Sequence, residues 1–171
     1  MAAILTPHTA YLLLGSNLGD RAATLRTAVQ QLGEMAGTVS TTSSLYETAA
    51  WGLEQQPAFL NQAVQLRTNL PPEALLDVCL HVEQLAVRER RERWDARTLD
   101  VDILLYDALI LDSPRLVVPH PALPQRRFAL VPLAEIAAAA VHPMLDQTIA
   151  ELLAACLDEL EVKRWVETPA S

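Results

Sequence analysis

Apolar residues in this chain change their spacing in a set order, and that order restricts the fold more than any other feature. "AYLLLG" (residues 10–15) is a short apolar run closed by glycine, which reads as a buried strand. "DRAATLRTAVQQLGEM" then carries Leu25, Val29 and Leu32 at helical spacing, with Gly37 as its stop. The β-branched stretch 39–48 reads as a strand. "FLNQAVQLRT" is another, with Phe59, Asn61, Ala63 and Gln65 on one face and Leu60, Gln62, Val64 and Leu66 on the other. A helix follows over 71–87, its two prolines suited to a first turn. "TLDVDILLYD" returns to strand.

The sequence β-α-β-β-α-β predicts an α+β fold, the ferredoxin-like split βαβ arrangement, with an antiparallel sheet and two helices on one face. Short strands at "ALILD" and "RLVVP", helices at "QRRFALVPLAEIA" and "TIAELLAACLDEL", and a last strand at "VKRWVE" make a C-terminal α/β extension. No repeat, linker or composition shift divides residues 1–171, so a single domain is expected. No apolar run approaches the roughly 18–20 residues that span a bilayer, and the first residues lack a basic stretch of the kind that opens a signal peptide. A cytoplasmic location and no membrane partner are the expectation. Cys79 and Cys156 lie far apart in apolar helical patterns and read as buried thiols, not a bridge or a metal pair.

The chemistry concentrates in "RERRERWDARTLDVDILLYD". Asp100 and Asp102 stand at i and i+2 of a strand, so both side chains leave the same face, roughly 6.6–6.8 Å apart at Cα. Two acids this close repel unless a cation sits between them. Magnesium suits such a pair, because it takes one or two protein carboxylates and completes its shell with water and phosphate. Just upstream come Arg88, Arg90, Arg91, Arg93 and Arg97, five of the chain's thirteen basic residues. Guanidinium groups could neutralise the phosphate oxygens a metal leaves free. The plain alternatives are an incidental acidic strand face and a solvated helix end paired with Glu89 and Glu92. A net charge of −8 argues against a general nucleic-acid binder. Phe59 and Asn61 offer stacking and an amide to a flat polar heterocycle. "VPHPALPQRRF" adds His120, Arg126 and Phe128 on a proline-rich loop.

Together these segments resemble the 6-hydroxymethyl-7,8-dihydropterin pyrophosphokinase family of folate biosynthesis, over roughly Tyr11 to Ile136. The likeness lies in "LGSNLGDR", in "SSLYETAAWGLEQQPAFLNQAV", in "VEQLAVRERRERWDARTLDVDILLY", which is similar to the family's arginine-rich signature ending in D-x-D, and in "VPHPALPQRRFALVPLAEI". The resemblance implies an ATP-dependent diphosphotransferase that moves pyrophosphate from ATP to the pterin hydroxymethyl group and releases AMP. Asp100 and Asp102 would hold two Mg2+ ions, with Arg88, Arg93 and Arg97 assisting the transfer. Thr48, Ala49, Trp51, Phe59, Asn61, Trp94 and Phe128 would bind the pterin, Phe59 and Phe128 on its two faces. Glu83, Arg88, Arg90, Trp94, Arg97, Ile103, Arg115, His120 and Arg126 would line ATP. Arg93 and Arg97 would lie in or beside a loop that closes over the phosphates. Whether Asp100 also acts as a general base stays open.

Three departures from the family pattern stand out: Val87 replaces the glycine before Arg88, Asp95-Ala96 replaces a Gly-Pro, and Val117 replaces a hydroxyl side chain found in some members. The expected partners are ATP and a reduced pterin, without nucleic acid. A monomer is the first expectation and a homodimer the open alternative.

Overall fold

The computed structural model describes residues 6–49, 57–93 and 99–169, with the side chains of residues 89–93 excepted. Its centre is strand β1 (His8–Ser16), flanked by β4 (Phe59–Thr68) and β5 (Asp100–Tyr106), both antiparallel to it. On the outer edge of β4, β2 (Thr38–Thr42) and β3 (Tyr46–Thr48) pair end to end, and β10 (Val162–Arg164) adds to β3. The main path across the sheet is β10-β3-β4-β1-β5.

Residues 39–48 do not form the one continuous strand that their β-branching predicts. Ser43 divides them: its hydroxyl accepts the Ala63 amide at 2.9 Å and donates to the Ser44 carbonyl at 2.7 Å. A side chain thus takes the place of one step of the backbone ladder.

Helix α1 (Arg21–Met35) starts where Asp20 accepts the Ala23 amide at 3.1 Å. It packs with α2 (Pro72–Arg93) on one sheet face. Leu12, Leu14, Leu60, Val64, Leu66, Val101 and Ile103 meet Leu25, Leu32, Leu75, Cys79 and Val82 there. Helix α2 continues past the predicted end at Val87 to Arg93. Val87 therefore sits within a helix, where a β-branched residue is tolerated, and not in a turn that would favour glycine.

The second face is also covered, which the reading of two helices on one face did not anticipate. Helices α3 (Arg127–Ala137) and α4 (Ile149–Ala155) cover Leu13, Ala63, Leu104 and Leu105 through Leu130, Leu133, Ile149 and Leu152, joined by Leu123 from the 3-10 turn Leu123–Gln125 that precedes α3. Leu104 and Leu105, though consecutive, both join this core, because pairing with β1 shifts register between Tyr11 and Leu12. Two small hairpins complete the chain: β6 (Leu111–Asp112) with β7 (Val117–Val118), and β8 (Val141–His142) with β9 (Gln147–Thr148). Helix α4 ends at Ala155, short of the predicted Leu160. Among the described residues no helix is long and apolar enough to cross a membrane.

Candidate active site

Residues that face each other in antiparallel strands project from the same side of the sheet. The register carries one such row across four strands: Tyr46 on β3, Asn61 on β4, Gly15 on β1 and Asp100 on β5. The next row inward holds Ala63, Leu13 and Asp102, and Thr48 faces Phe59 in the row outward. Strands lie about 4.8 Å apart, so Asn61 and Asp100 stand roughly 10 Å from each other with only a glycine between them.

That gap is the floor of a cavity of about 230 Å³. Thr48, Ala49, Phe59 and Asn61 line it from the β3–β4 side, Asp100 and Asp102 from β5, and Arg126, Phe128 and Leu160 from the covering layer. A Cβ on Gly15 would come within 2.8 Å of Asn61 Oδ1 and 3.8 Å of the Phe59 ring. The glycine is thus required by close packing of the amide. The Asn61 side chain is buried and donates from Nδ2 to Thr48 Oγ1 at 3.2 Å. This bond orients the amide along the floor. Above it, the start of α3 presents Phe128, with the Arg126 guanidinium carbon 5.6 Å from the ring centre, within cation–π range.

The acidic edge is electrostatically tense. Burial first, and then the Asp102 charge, push the Asp100 carboxyl above its ordinary value. Glu83 on α2 is also raised, chiefly by burial and further by Asp100 and Asp102, although the Val101 amide donates to it at 2.8 Å. Three carboxyl groups thus surround one end of β5. Among the described residues no set of three or more His, Cys, Asp or Glu side chains forms a metal cage. The donor set that does exist, two hard carboxylates on one strand face open to a cavity, suits an ion that leaves most of its shell to water and phosphate.

His120 follows the cis Val118–Pro119 peptide and is fixed by its amide to the Leu104 carbonyl at 2.9 Å. Burial lowers its pKa, against the pull of Asp102. Its Nδ1 accepts the Ala122 amide at 3.2 Å, so in the neutral ring Nε2 carries the proton and remains the donor.

The predicted residues therefore fall into three groups. Thr48, Ala49, Phe59, Asn61, Asp100, Asp102, Arg126 and Phe128 share one cavity. Glu83 and Arg88 line a neighbouring groove with Gln84, Val87 and Leu99. Three residues line neither space, and the first is His120 on the loop described above. The Ile103 side chain is buried in the α1–α2 core, because Val101 and Ile103, which alternate with the acids before the register shift, point to the opposite face of β5. Arg115 pairs with Asp77 on the solvent side of α2. Trp51, Trp94, Arg97 and the Asp95-Ala96 pair lie outside the described residues, as do the side chains of Arg90 and Arg93.

Sequence reasoning missed Leu13, Gly15 and Leu160. Gly15 was recoverable, since a glycine closing an apolar central strand marks either a turn or a close approach. Leu160 carried no signal, because the last strand expected at "VKRWVE" does not say which edge it joins, and so not what its approach passes over.

Comparison with known proteins gives a consistent result. A family model for 7,8-dihydro-6-hydroxymethylpterin-pyrophosphokinase matches residues 11–138. The 2-amino-4-hydroxy-6-hydroxymethyldihydropteridine pyrophosphokinase of Bacillus subtilis is 46% identical over 130 residues, covering 75% of this chain and 78% of that protein. The protein of the same name from Haemophilus influenzae is 39% identical over 156 residues, covering 91% and 97%. Among solved structures, a Plasmodium falciparum HPPK-DHPS triple mutant superposes with a TM-score of 0.70 at 18% identity, over 90% of this chain and 45% of that one. An HPPK-DHPS in complex with substrates gives 0.72 at 14% identity, over 88% and 43%. The structural likeness is one of fold, and this chain spans less than half of those chains.

Proposed function

The chain belongs to the 7,8-dihydro-6-hydroxymethylpterin-pyrophosphokinase family, and from that premise we propose how its own cavity performs the transfer. The enzyme moves pyrophosphate from ATP to the hydroxymethyl group of 6-hydroxymethyl-7,8-dihydropterin, releasing AMP, in folate biosynthesis. The observation that carries this reading is the row Asn61–Gly15–Asp100. It places an amide and a carboxylate on either side of a glycine in the floor of a cavity that Phe59 and Phe128 also line.

A cavity of about 150 Å³ already accepts benzene, so about 230 Å³ suits one bicyclic ring and leaves the nucleotide outside. Phe59 and Phe128 stack on the pterin faces, each contact worth roughly 1–3 kcal/mol by analogy with base stacking. Asn61, held by Thr48, reads the polar edge of the ring. The hydroxymethyl end then points to Asp100.

Asp100 and Asp102 would hold magnesium, two ions in this reading, which when bound neutralises and orients the triphosphate. The protein's own contribution is placement. Alignment of the hydroxyl with the β-phosphorus can be worth about 7 kcal/mol. Asp100 orients the hydroxymethyl oxygen. His120 Nε2 and the Arg126 guanidinium offer donors to the nucleotide, while Glu83 braces β5 through the Val101 amide. Arg88, and in the family pattern Arg90 and Trp94, line ATP, while Arg93 and Arg97 close over the phosphates and exclude water as a competing acceptor.

The strand order supports the ferredoxin-like classification for the core, with α3, α4 and β10 as the extension on the second face. The single domain acts as a cytoplasmic monomer on two small-molecule substrates. The test is chromatographic. With ATP, Mg2+ and the reduced pterin together, the nucleotide product should be AMP, formed only when the pterin is present. ADP as the product would refute the reading.

A further inference from the structure

One cavity wall comes from outside the residues that the family model matches. The segment following α4 leaves the second-face layer and is fixed at both ends. At its start, the Asp158 carboxylate accepts two amides: Oδ2 takes that of Arg127, the first residue of α3, at 3.1 Å, and Oδ1 takes that of Leu160 at 3.0 Å. At its end, Val162 pairs with Thr48 in the β10–β3 ladder. Both anchors touch the site, since α3 begins with Phe128 in its first turn and Thr48 holds Asn61. Residues 158–162 therefore form a short strap from the covering helix to the edge of the floor, and Leu160, at its middle, lines the cavity.

We propose that Leu160 is a specificity-determining residue that sets the size of the ring the cavity accepts, and that Asp158 is the residue that positions it. This inference rests on the reading of the cavity as the pterin site. The physical basis is a division of labour within one carboxylate. Asp158 meets the N-terminus of α3, where a negative charge is favoured, and with its other oxygen fixes the strap's turn, so Phe128 and Leu160 keep a constant separation. A second, larger groove of about 820 Å³ lies on the outer side, sharing Arg126 and Phe128 with the cavity and bounded by Leu157 and Asp158. Leu160 is the apolar side chain that the strap contributes to the inner space. Shortening it opens room for a bulkier ring, and lengthening it fills the space that the ring needs.

The experiment compares Leu160→Ala, Leu160→Trp, Asp158→Ala and the Asp158→Ala/Leu160→Ala double variant with the wild type. The readouts are steady-state kinetics and calorimetric titration with the hydroxymethyl dihydropterin and with a ring-methylated analogue. L160A should raise the pterin KM about tenfold, on the scale of lost apolar contact in a pocket, with kcat and the ATP KM within twofold. It should also shift preference toward the methylated analogue. L160W should abolish pterin binding while ATP still binds. D158A should reproduce the rise in pterin KM. Because Asp158 acts through Leu160, the double variant should add little to L160A alone. A wild type that turns over normally beside L160A and L160W variants with unchanged pterin KM overturns the proposal and leaves the assignment of the reaction standing. Additive effects in the double variant overturn the positioning role of Asp158. A wild type that neither binds the pterin nor forms AMP overturns both the proposal and the reading beneath it.

Discussion

Replacing Gly15 with alanine should damage the pterin site more than a single methyl group usually does. The added Cβ would lie 2.8 Å from Asn61 Oδ1, roughly half an ångström inside ordinary carbon–oxygen contact. Gly15 cannot retreat, because β1 is paired on both sides, with Asn61 in β4 and Asp100 in β5. The amide must move instead. Its bond to Thr48 is already long at 3.2 Å, so a comparable shift breaks it. Overpacking costs about 1–3 kcal/mol, and a buried amide losing its partner costs about 1–3 kcal/mol if nothing replaces it. Partial relaxation offsets some of this, so a total near 2 kcal/mol is expected. That is a cost in fold stability; binding loses separately, because a displaced Asn61 no longer pairs with the polar edge of the pterin, and an unpaired buried polar group costs about 1–3 kcal/mol, so pterin affinity should fall about tenfold. ATP affinity should hardly change. Calorimetric titration with each substrate, beside urea unfolding, separates the two effects. A Gly15→Ala enzyme with pterin affinity within twofold of wild type and an unchanged urea midpoint would refute the close-packed floor.

Three further outcomes follow from the same geometry. Asp100→Ala or Asp102→Ala should abolish turnover at saturating magnesium while the melting temperature holds or rises, because removing either acid relieves their mutual repulsion; near-normal rates would contradict the assignment. Burial would raise the Glu135 carboxyl, but hydrogen bonds from the Ser44 hydroxyl and amide at 2.7 Å each and from Tyr46 at 3.1 Å, with Arg164 nearby, outweigh it and hold the group below its ordinary value. A depressed carboxylate stabilises the fold above its unfolded pKa and loses that contribution as pH falls through its folded one. Glu135→Ala should therefore be most destabilising at neutral pH, with the difference from wild type shrinking below about pH 4.3, as read from urea midpoints across pH. Burial pushes the Cys79 thiol up to about 12, so native protein at mildly alkaline pH should take up iodoacetamide at Cys156 but not at Cys79, and mass mapping of both thiols alkylated at equal rates would contradict that packing.

The parts of the fold that rest on local periodicity were legible in the residues. The alternation on β4 correctly separated Leu60, Val64 and Leu66, which enter the α1–α2 core, from Phe59, Asn61 and Ala63 on the other face. Asp100 and Asp102 leave β5 on one side because a strand's period is two. The same rule placed Val101 and Ile103 on the opposite side, which is why Ile103 does not enter the cavity with the acids. Local reasoning failed where a distant group decides. The Ser43 hydroxyl interrupts a β-branched run by bonding Ala63, twenty residues on. Charged residues 88–93 gave no apolar period to follow, yet the helix runs through them. The register shift at Leu104 and Leu105 belongs to the pairing with β1, not to either strand alone. Leu160 reaches the site only because Asp158 and Val162 anchor its segment to elements that precede it by about thirty and more than a hundred residues in the chain.

The most direct measurement follows the β-phosphorus of ATP. With ATP labelled at the β-phosphorus, the purified protein, Mg2+ and 6-hydroxymethyl-7,8-dihydropterin, all of the consumed label should appear on the pterin as its diphosphate ester, with unlabelled AMP in equal amount. Label retained in ADP, or released as free phosphate or pyrophosphate without pterin product, would contradict transfer of the terminal pair in this cavity.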